Sequence, residues 1–198
     1  MILIKHRVNS ISKLKSTPSK FGVEIDLRCN KDKIYLAHDA FKKGTLFSNW
    51  LKNYNHSFIV LNVKEEGLET KILKLLSKNK VKNYFFHDQT FSTLLKSIKK
   101  KIPASIRFSE YENIQDAHLV SKVNWVWVDH FTKFPLTKKK YNFFKKLNCK
   151  ICIVSPELIS LKNKKKIKNL KMKIAKKNFK IDAVCTKFPK LWSDEKNI

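Results

Sequence analysis

Between Gly22 and Phe41 the chain reads GVEIDLRCNKDKIYLAHDAF. An apolar, strand-like stretch there carries two acids, Glu24 and Asp26, spaced two apart. Strand side chains alternate between faces, so both carboxylates share one face. A second apolar run, Ile34–His38, ends in His38-Asp39, and the first residues, MILIKHRVN, end another run in His6-Arg7. Two same-face carboxylates at a strand end suit a hard divalent cation, with water and substrate oxygens completing its shell. Two histidines suit a general acid and a general base. Lys64, which shares a face with Asn62 in VLNVK, and Arg107 in SIRFSEYE suit a phosphate or its charged transition state. The combined chemistry is metal-assisted phosphodiester cleavage.

Such residues need strands that deliver them to one place. Short runs rich in Val, Ile, Phe or Trp recur at Ile2–Arg7, Gly22–Arg28, Ser57–Lys64, Asn83–His87, Ala104–Ser109, Trp125–Phe131, Lys150–Ser155 and Ala183–Lys187. Helical stripes fill several gaps. They comprise Leu68, Ile72, Leu75 and Leu76; then Phe91, Leu94, Leu95 and Ile98, capped by Asp88 or Thr90; then Tyr141, Phe144 and Leu147. A longer fourth stripe runs through Leu158, Leu161, Ile167, Leu170 and Ile174. Strand alternating with helix predicts a parallel sheet. Eight principal strands predict a small closed (β/α)8 TIM barrel, residues 1–198 forming one domain, with abbreviated helices around Ser10–Thr17 and Glu110–Val120. In such a barrel the reactive groups sit at the C-terminal ends of strands, and here strand after strand turns polar at that end. His87-Asp88 ends the fourth run and Arg107 with Ser109 the fifth. Trp127 and Asp129 share a face at the end of the sixth, Ser155 ends the seventh, and Thr186-Lys187 the eighth. Pointing so many charged groups at a common mouth is costly unless they pair or bind something. Trp125 and Trp127 are expected either to fill the barrel or, for Trp127 at the mouth, to wall a substrate pocket.

The formal charge is +27, nearly all of it lysine spread along the chain. Arg7, Arg28 and Arg107 are the only arginines. A dedicated nucleic-acid reader uses arginine for bidentate contacts, so none is expected here, whereas anionic substrates are attracted in any case. The block KNKKKIKNLKMKIAKK spaces Ile, Leu and Met as a solvated helix face does. Cys29, Cys149, Cys152 and Cys185 include one close pair without a second, which fits reduced thiols better than zinc. With only three glycines, neither a P-loop nor GxGxxG occurs. No run reaches membrane-spanning length, and MILIKHRVN turns polar too soon for a signal peptide, so a cytoplasmic protein is expected.

HRVN at 6–9, GVEIDLR at 22–28, HD at 38–39 and LNVK at 61–64 resemble the motifs of the glycerophosphodiester phosphodiesterase family, among the phospholipase C-like barrels. DAVCTKFP near the end is similar to that family's closing motif. The resemblance implies that His6 and His38 form the acid/base pair. It implies that Glu24 and Asp26 bind Mg²⁺ or Ca²⁺, with Asn62 standing where the family has a third-strand acid. Arg7 and Lys64 would contact the phosphate or organise the site, and the substrate would be a small phosphodiester. Lys187 stands where the family's closing motif has an acid, and Val8 where a glycine follows His-Arg. Two other readings start from the same residues. Asn62 and Lys187 fit a degenerate barrel that binds a phosphorylated sugar or headgroup without turnover. The charge fits a basic nucleic-acid- or membrane-binding protein.

Overall fold

A computed structural model describes residues 1–159 and 164–193. The apolar runs fold as strands: β1 Ile2–Lys5, β2 Gly22–Asn30, β3 Lys33–Leu36, β4 Thr45–Leu46, β5 Ile59–Val63, β6 Tyr84–His87, β7 Ser105–Phe108, β8 Trp125–Val128, β9 Lys150–Val154 and β10 Ala183–Thr186. The helices are α1 Ile11–Ser16, α2 Phe47–Leu51, α3 Glu69–Lys78, α4 Phe91–Lys99, α5 Ala117–Lys122, α6 Lys138–Lys146, α7 Lys164–Lys176 and α8 Pro189–Trp192. Setting aside the β3–β4 hairpin leaves eight strands, each followed by a helix, among the described residues. None of these helices is long and apolar enough to cross a membrane.

Two compact units make up the chain, Lys5–Ala104 and Met1–Ile4 with the residues from Ser105 onward. In the first, the strand order is β6-β5-β2-β3-β4. β2 pairs parallel with β5, and β5 with β6, while the β3–β4 hairpin lies antiparallel along β2. Parallel strands are covered on both faces, which is why Val23, Ile25, Leu27, Ile59, Leu61, Phe85 and Phe86 are all buried. Phe47 and Trp50 of α2 complete this core, and the Trp50 indole N–H donates to the Val8 carbonyl at 3.0 Å. The other unit orders its strands β1-β10-β9-β8-β7, with β7 to β10 mutually parallel.

Side-chain caps fix four helix starts. Ser10, Thr90, Asp116 and Thr137 each accept a backbone N–H three residues on. Two helical expectations are corrected. Leu158 belongs to a 3-10 turn, Pro156–Leu158, and α7 spans Lys164–Lys176 among the described residues. The cause is Glu157, whose buried carboxylate accepts from the Ser155 hydroxyl, from Thr186 Oγ1 at 2.5 Å and from the Lys187 N–H at 2.9 Å. Leu161 of the expected stripe lies outside the described residues. In α4 the stripe is not wholly a buried face: Leu94 is buried, but Phe91 is 62% and Leu95 45% exposed. The four cysteines form no disulfide, and Cys149, Cys152 and Cys185 are buried.

Candidate metal and acid-base site

Parallel pairing sets the site. Asp26 of β2 lies in register with Asn62 of β5, and Asn62 with His87 of β6. Side chains in register on paired strands point to the same face, so Glu24, Asp26, Asn62 and His87 share one surface of this sheet. Lys64 follows directly, its N–H bound to the Leu27 carbonyl at 3.0 Å.

The segment His6–Asn9 folds over β2. Arg7 takes a left-handed conformation, φ 51°, which aims its backbone N–H at Glu24 Oε2, 2.7 Å away. The next N–H, of Val8, donates to the Glu24 carbonyl at 2.8 Å. Asn9 then brackets Asp26: its amide donates to Asp26 Oδ2 at 2.7 Å, and its Oδ1 accepts the Asp26 N–H at 2.9 Å. His6 Nε2 lies 3.8 Å from Glu24 Oε2.

Both carboxylates are removed from solvent, Glu24 1% and Asp26 0% exposed. Burial and the neighbouring Asp26 charge push Glu24 up to about 7. The Arg7 N–H, the Asn62 amide at 3.0 Å from Oε1 and the Lys64 charge work against that rise. Lys64 Nζ stands 3.6 Å from Asp26 Oδ1 and 3.3 Å from Asp88 Oδ2, and Arg7 Nε is 3.9 Å from Asp26 Oδ2. Lys64 and Arg7 therefore partly neutralise the pair.

Two oxygens in this cluster remain without a hydrogen bond although buried, Asp26 Oδ1 and Asn62 Oδ1. Buried polar atoms are nearly always paired, so two such oxygens on register neighbours are acceptors open to a ligand. Carboxylate and amide oxygens are the donors that Mg²⁺ and Ca²⁺ take. Among the described residues no three His, Cys, Asp or Glu side chains gather to hold a metal. A cation here would thus rest on Glu24, Asp26 and the neutral Asn62 oxygen, with the remaining ligands coming from outside the protein. The residues present fit a hard divalent ion.

His38 reaches the same strand through the hairpin. The Ala37 N–H donates to the Asp26 carbonyl at 3.1 Å, and Arg28 grips the His38 carbonyl through Nε and a terminal nitrogen at 3.2 and 3.0 Å. The Arg28 guanidinium is itself held by Glu65 Oε1 at 3.1 Å. The half-exposed His38 ring places Nδ1 2.8 Å from Asp39 Oδ1. His6, Arg7, Glu24, Asp26, His38, Asn62 and Lys64 thus all belong to the unit Lys5–Ala104. Arg107 and Trp127 belong to the other unit, in register on β7 and β8 and on one face. There Arg107 Nε lies 4.0 Å from Glu112 Oε2. Burial raises the nearby Asp129 carboxyl, and the Arg107 charge opposes that rise. Residue patterns alone pick out neither Asn9 as the brace of Asp26, nor Arg28 as that of His38, nor Asp88 as a partner of Lys64. HRVN contains Asn9, but no periodicity marks its role.

By sequence, no protein-family model matches the chain and no curated protein does. By structure, it is similar to a glycerophosphodiester phosphodiesterase from Agrobacterium tumefaciens, with a TM-score of 0.70 over 97% of this chain and 99% of that one at 11% identity. It is also similar to a glycerophosphoryl diester phosphodiesterase from Parabacteroides distasonis, with a TM-score of 0.63 over 96% and 84% at 13% identity. The fold is that of the glycerophosphodiester phosphodiesterases. The expected TIM barrel is thereby met, and the resemblance read from HRVN, GVEIDLR, HD and LNVK holds at the level of fold. At these identities the glycerophosphodiester phosphodiesterase likeness concerns the backbone, and the chemistry rests on the side chains described above.

Proposed function

We propose that this chain is a metal-dependent phosphodiester hydrolase acting on a glycerophosphodiester-like or sugar-phosphate diester. The observation that carries the reading is the pair of buried orphan oxygens, Asp26 Oδ1 and Asn62 Oδ1, on adjacent strands beside Glu24. The glycerophosphodiester phosphodiesterase fold supports it.

Glu24, Asp26 and Asn62 would hold Mg²⁺ or Ca²⁺, which when bound supplies Lewis-acid polarisation of a phosphoryl oxygen. The rest falls to the chain's own groups. Arg7 and Lys64 provide positive charge for the phosphate and for the extra negative charge of its transition state. Arg107 and Trp127 are proposed to contact the substrate as well. With His38 Nδ1–H donated to Asp39, its Nε2 is the nitrogen available for proton exchange. His6 Nε2, facing Glu24, is the second proton carrier. One imidazole accepts the proton of the incoming hydroxyl as its oxygen bonds to phosphorus. The other donates a proton to the alcohol oxygen as its bond to phosphorus breaks. Water as the incoming group gives hydrolysis; a hydroxyl of the substrate itself gives a cyclic phosphate.

The test is turnover of a soluble diester with added Mg²⁺ or Ca²⁺ by wild type, His6→Ala and His38→Ala, with ³¹P spectra of the products. Each substitution is expected to lower turnover about a hundredfold or more while the thermal transition persists. Wild-type rates in both variants would sink the mechanism. A second reading, a barrel that binds a phosphorylated ligand without cleaving it, is favoured by the amide at Asn62. No metal binding at millimolar concentration together with no turnover would select it.

A further inference from the structure

We propose that the loop Ala40–Gly44 is a membrane-docking element that seats the site's entrance on an anionic lipid surface. The substrate diester would then be presented by a bilayer. Phe41 is 106% exposed, as open as a residue of an extended chain. Its backbone is in the left-handed region, φ 60°, which a bulky aromatic side chain adopts at a cost. Local conformation favours Gly or Asn at such a position, and no packing in the unit repays the Phe. Two independent penalties are therefore accepted to hold a benzyl group in solvent.

The loop is also fixed rather than trailing. A Cβ on Gly44 would come within 2.2 Å of the Leu36 carbonyl oxygen, so only glycine lets the chain close against β3. At its other end the loop starts from His38-Asp39, tied to Asp26 through Ala37 and to Arg28 through the His38 carbonyl. Phe41 thus stands three residues from a proposed catalytic histidine on a braced stem. The next two residues, Lys42 and Lys43, are exposed. An aromatic ring followed by lysines is the pattern that enters a headgroup layer, the ring reaching the acyl boundary and the ammonium groups meeting anionic phosphates. The charge of +27 on the chain adds long-range attraction of the same sign. A nucleic-acid duplex would use the lysines, but its bases are stacked on one another and give no reason for an apolar ring held outward on a left-handed residue. The docking needs no catalysis; only the statement that a lipid-borne diester is hydrolysed rests on the function proposed above.

The experiment is sedimentation of the whole chain with vesicles of phosphatidylglycerol and phosphatidylcholine, and of phosphatidylcholine alone, in about 0.1 M salt without divalent metal. Wild type is expected to pellet with the anionic vesicles. Phe41→Ser should lower the partition coefficient about tenfold or more, the scale of losing a buried phenyl group. Lys42→Glu with Lys43→Glu should lower it comparably and weaken its salt dependence. With metal added, Phe41→Ser should lose turnover of a vesicle-borne diester but keep that of a soluble one. Failure of wild type to pellet with anionic vesicles would overturn the proposal, as would unchanged partitioning of Phe41→Ser. So would retention by a DNA duplex, insensitive to Phe41→Ser, in place of retention by vesicles. A chain that pellets as expected but cleaves no diester removes the hydrolase reading and leaves the docking in place.

Discussion

Asn9 and Asp26 hold each other at two points, amide to carboxylate at 2.7 Å and backbone N–H to amide oxygen at 2.9 Å. One side chain thereby fixes both the strand and the acid it presents. It leaves Asp26 Oδ2 occupied and Asp26 Oδ1 turned to the orphan position beside Asn62.

Asn9→Ala removes both bonds at a buried carboxylate. A loss of about 1–3 kcal/mol in unfolding free energy is expected from denaturant titration. Mg²⁺ affinity should fall with it, because Asp26 becomes free to rotate. Unchanged affinity in a destabilised variant would mean that Asp26 needs no such brace.

Asn62→Asp restores an acid on β5 and adds a third negative group to a buried pair. In EDTA the melting temperature should drop, since the Asn62 amide no longer donates to Glu24 and like charges crowd. Mg²⁺ or Ca²⁺ should reverse the order, with the variant binding roughly tenfold tighter than wild type because a carboxylate replaces a neutral ligand. Calorimetric titration and melting with and without metal measure both. Equal metal affinity in the two proteins would argue that residue 62 is not a ligand.

Trp50→Phe deletes the one indole N–H that supports the Val8 carbonyl inside the core. About 1–3 kcal/mol of stability should be lost, and turnover should fall further than melting alone explains, because that bond is one of those that hold the His6–Asn9 turn in place. Kinetics well below the melting transition check this.

Glu66 gives a pH signature. Hydroxyls of Ser92, Thr90 and Thr93 all donate to its Oε1 and hold the carboxyl at about 2, below its ordinary 4.5. A depressed carboxylate stabilises the fold above its unfolded value and loses that contribution as pH falls towards 2. Glu66→Gln should therefore melt lower than wild type at pH 7, the gap closing through the acid range. A gap that stays constant down to about pH 2 would contradict the assignment.

Much of this was legible in the sequence, for a physical reason. The strand period of two places Glu24 with Asp26 and Asn62 with Lys64 whatever the tertiary context, and apolar runs mark the eight principal strands. The register that sets Asp26 beside Asn62 is a property of pairing, invisible until the strands are assembled. β4 and α2 carried too little signal, two and five residues with no side-chain cap on the helix. Helical spacing through Leu158 misled because Glu157 finds better partners in Ser155 and Thr186 than a helix start offers. The braces Asn9 and Arg28 reach across seventeen and ten residues, distances at which composition and spacing carry no information.

Lys64 has a consequence for assembly. Its ammonium group stands between Asp26 and Asp88, so part of the charge of the buried acids is met by a tethered cation belonging to the chain. On the proposed reading, folding would then not have to wait for an ion. A divalent cation arriving at Asp26 Oδ1 would find the lysine already within 3.3 Å of an alternative anchor at Asp88. Were the proposed cation to bind, folding would come first and loading second, with Lys64 as the exchangeable placeholder and one backbone shared by the empty and loaded proteins.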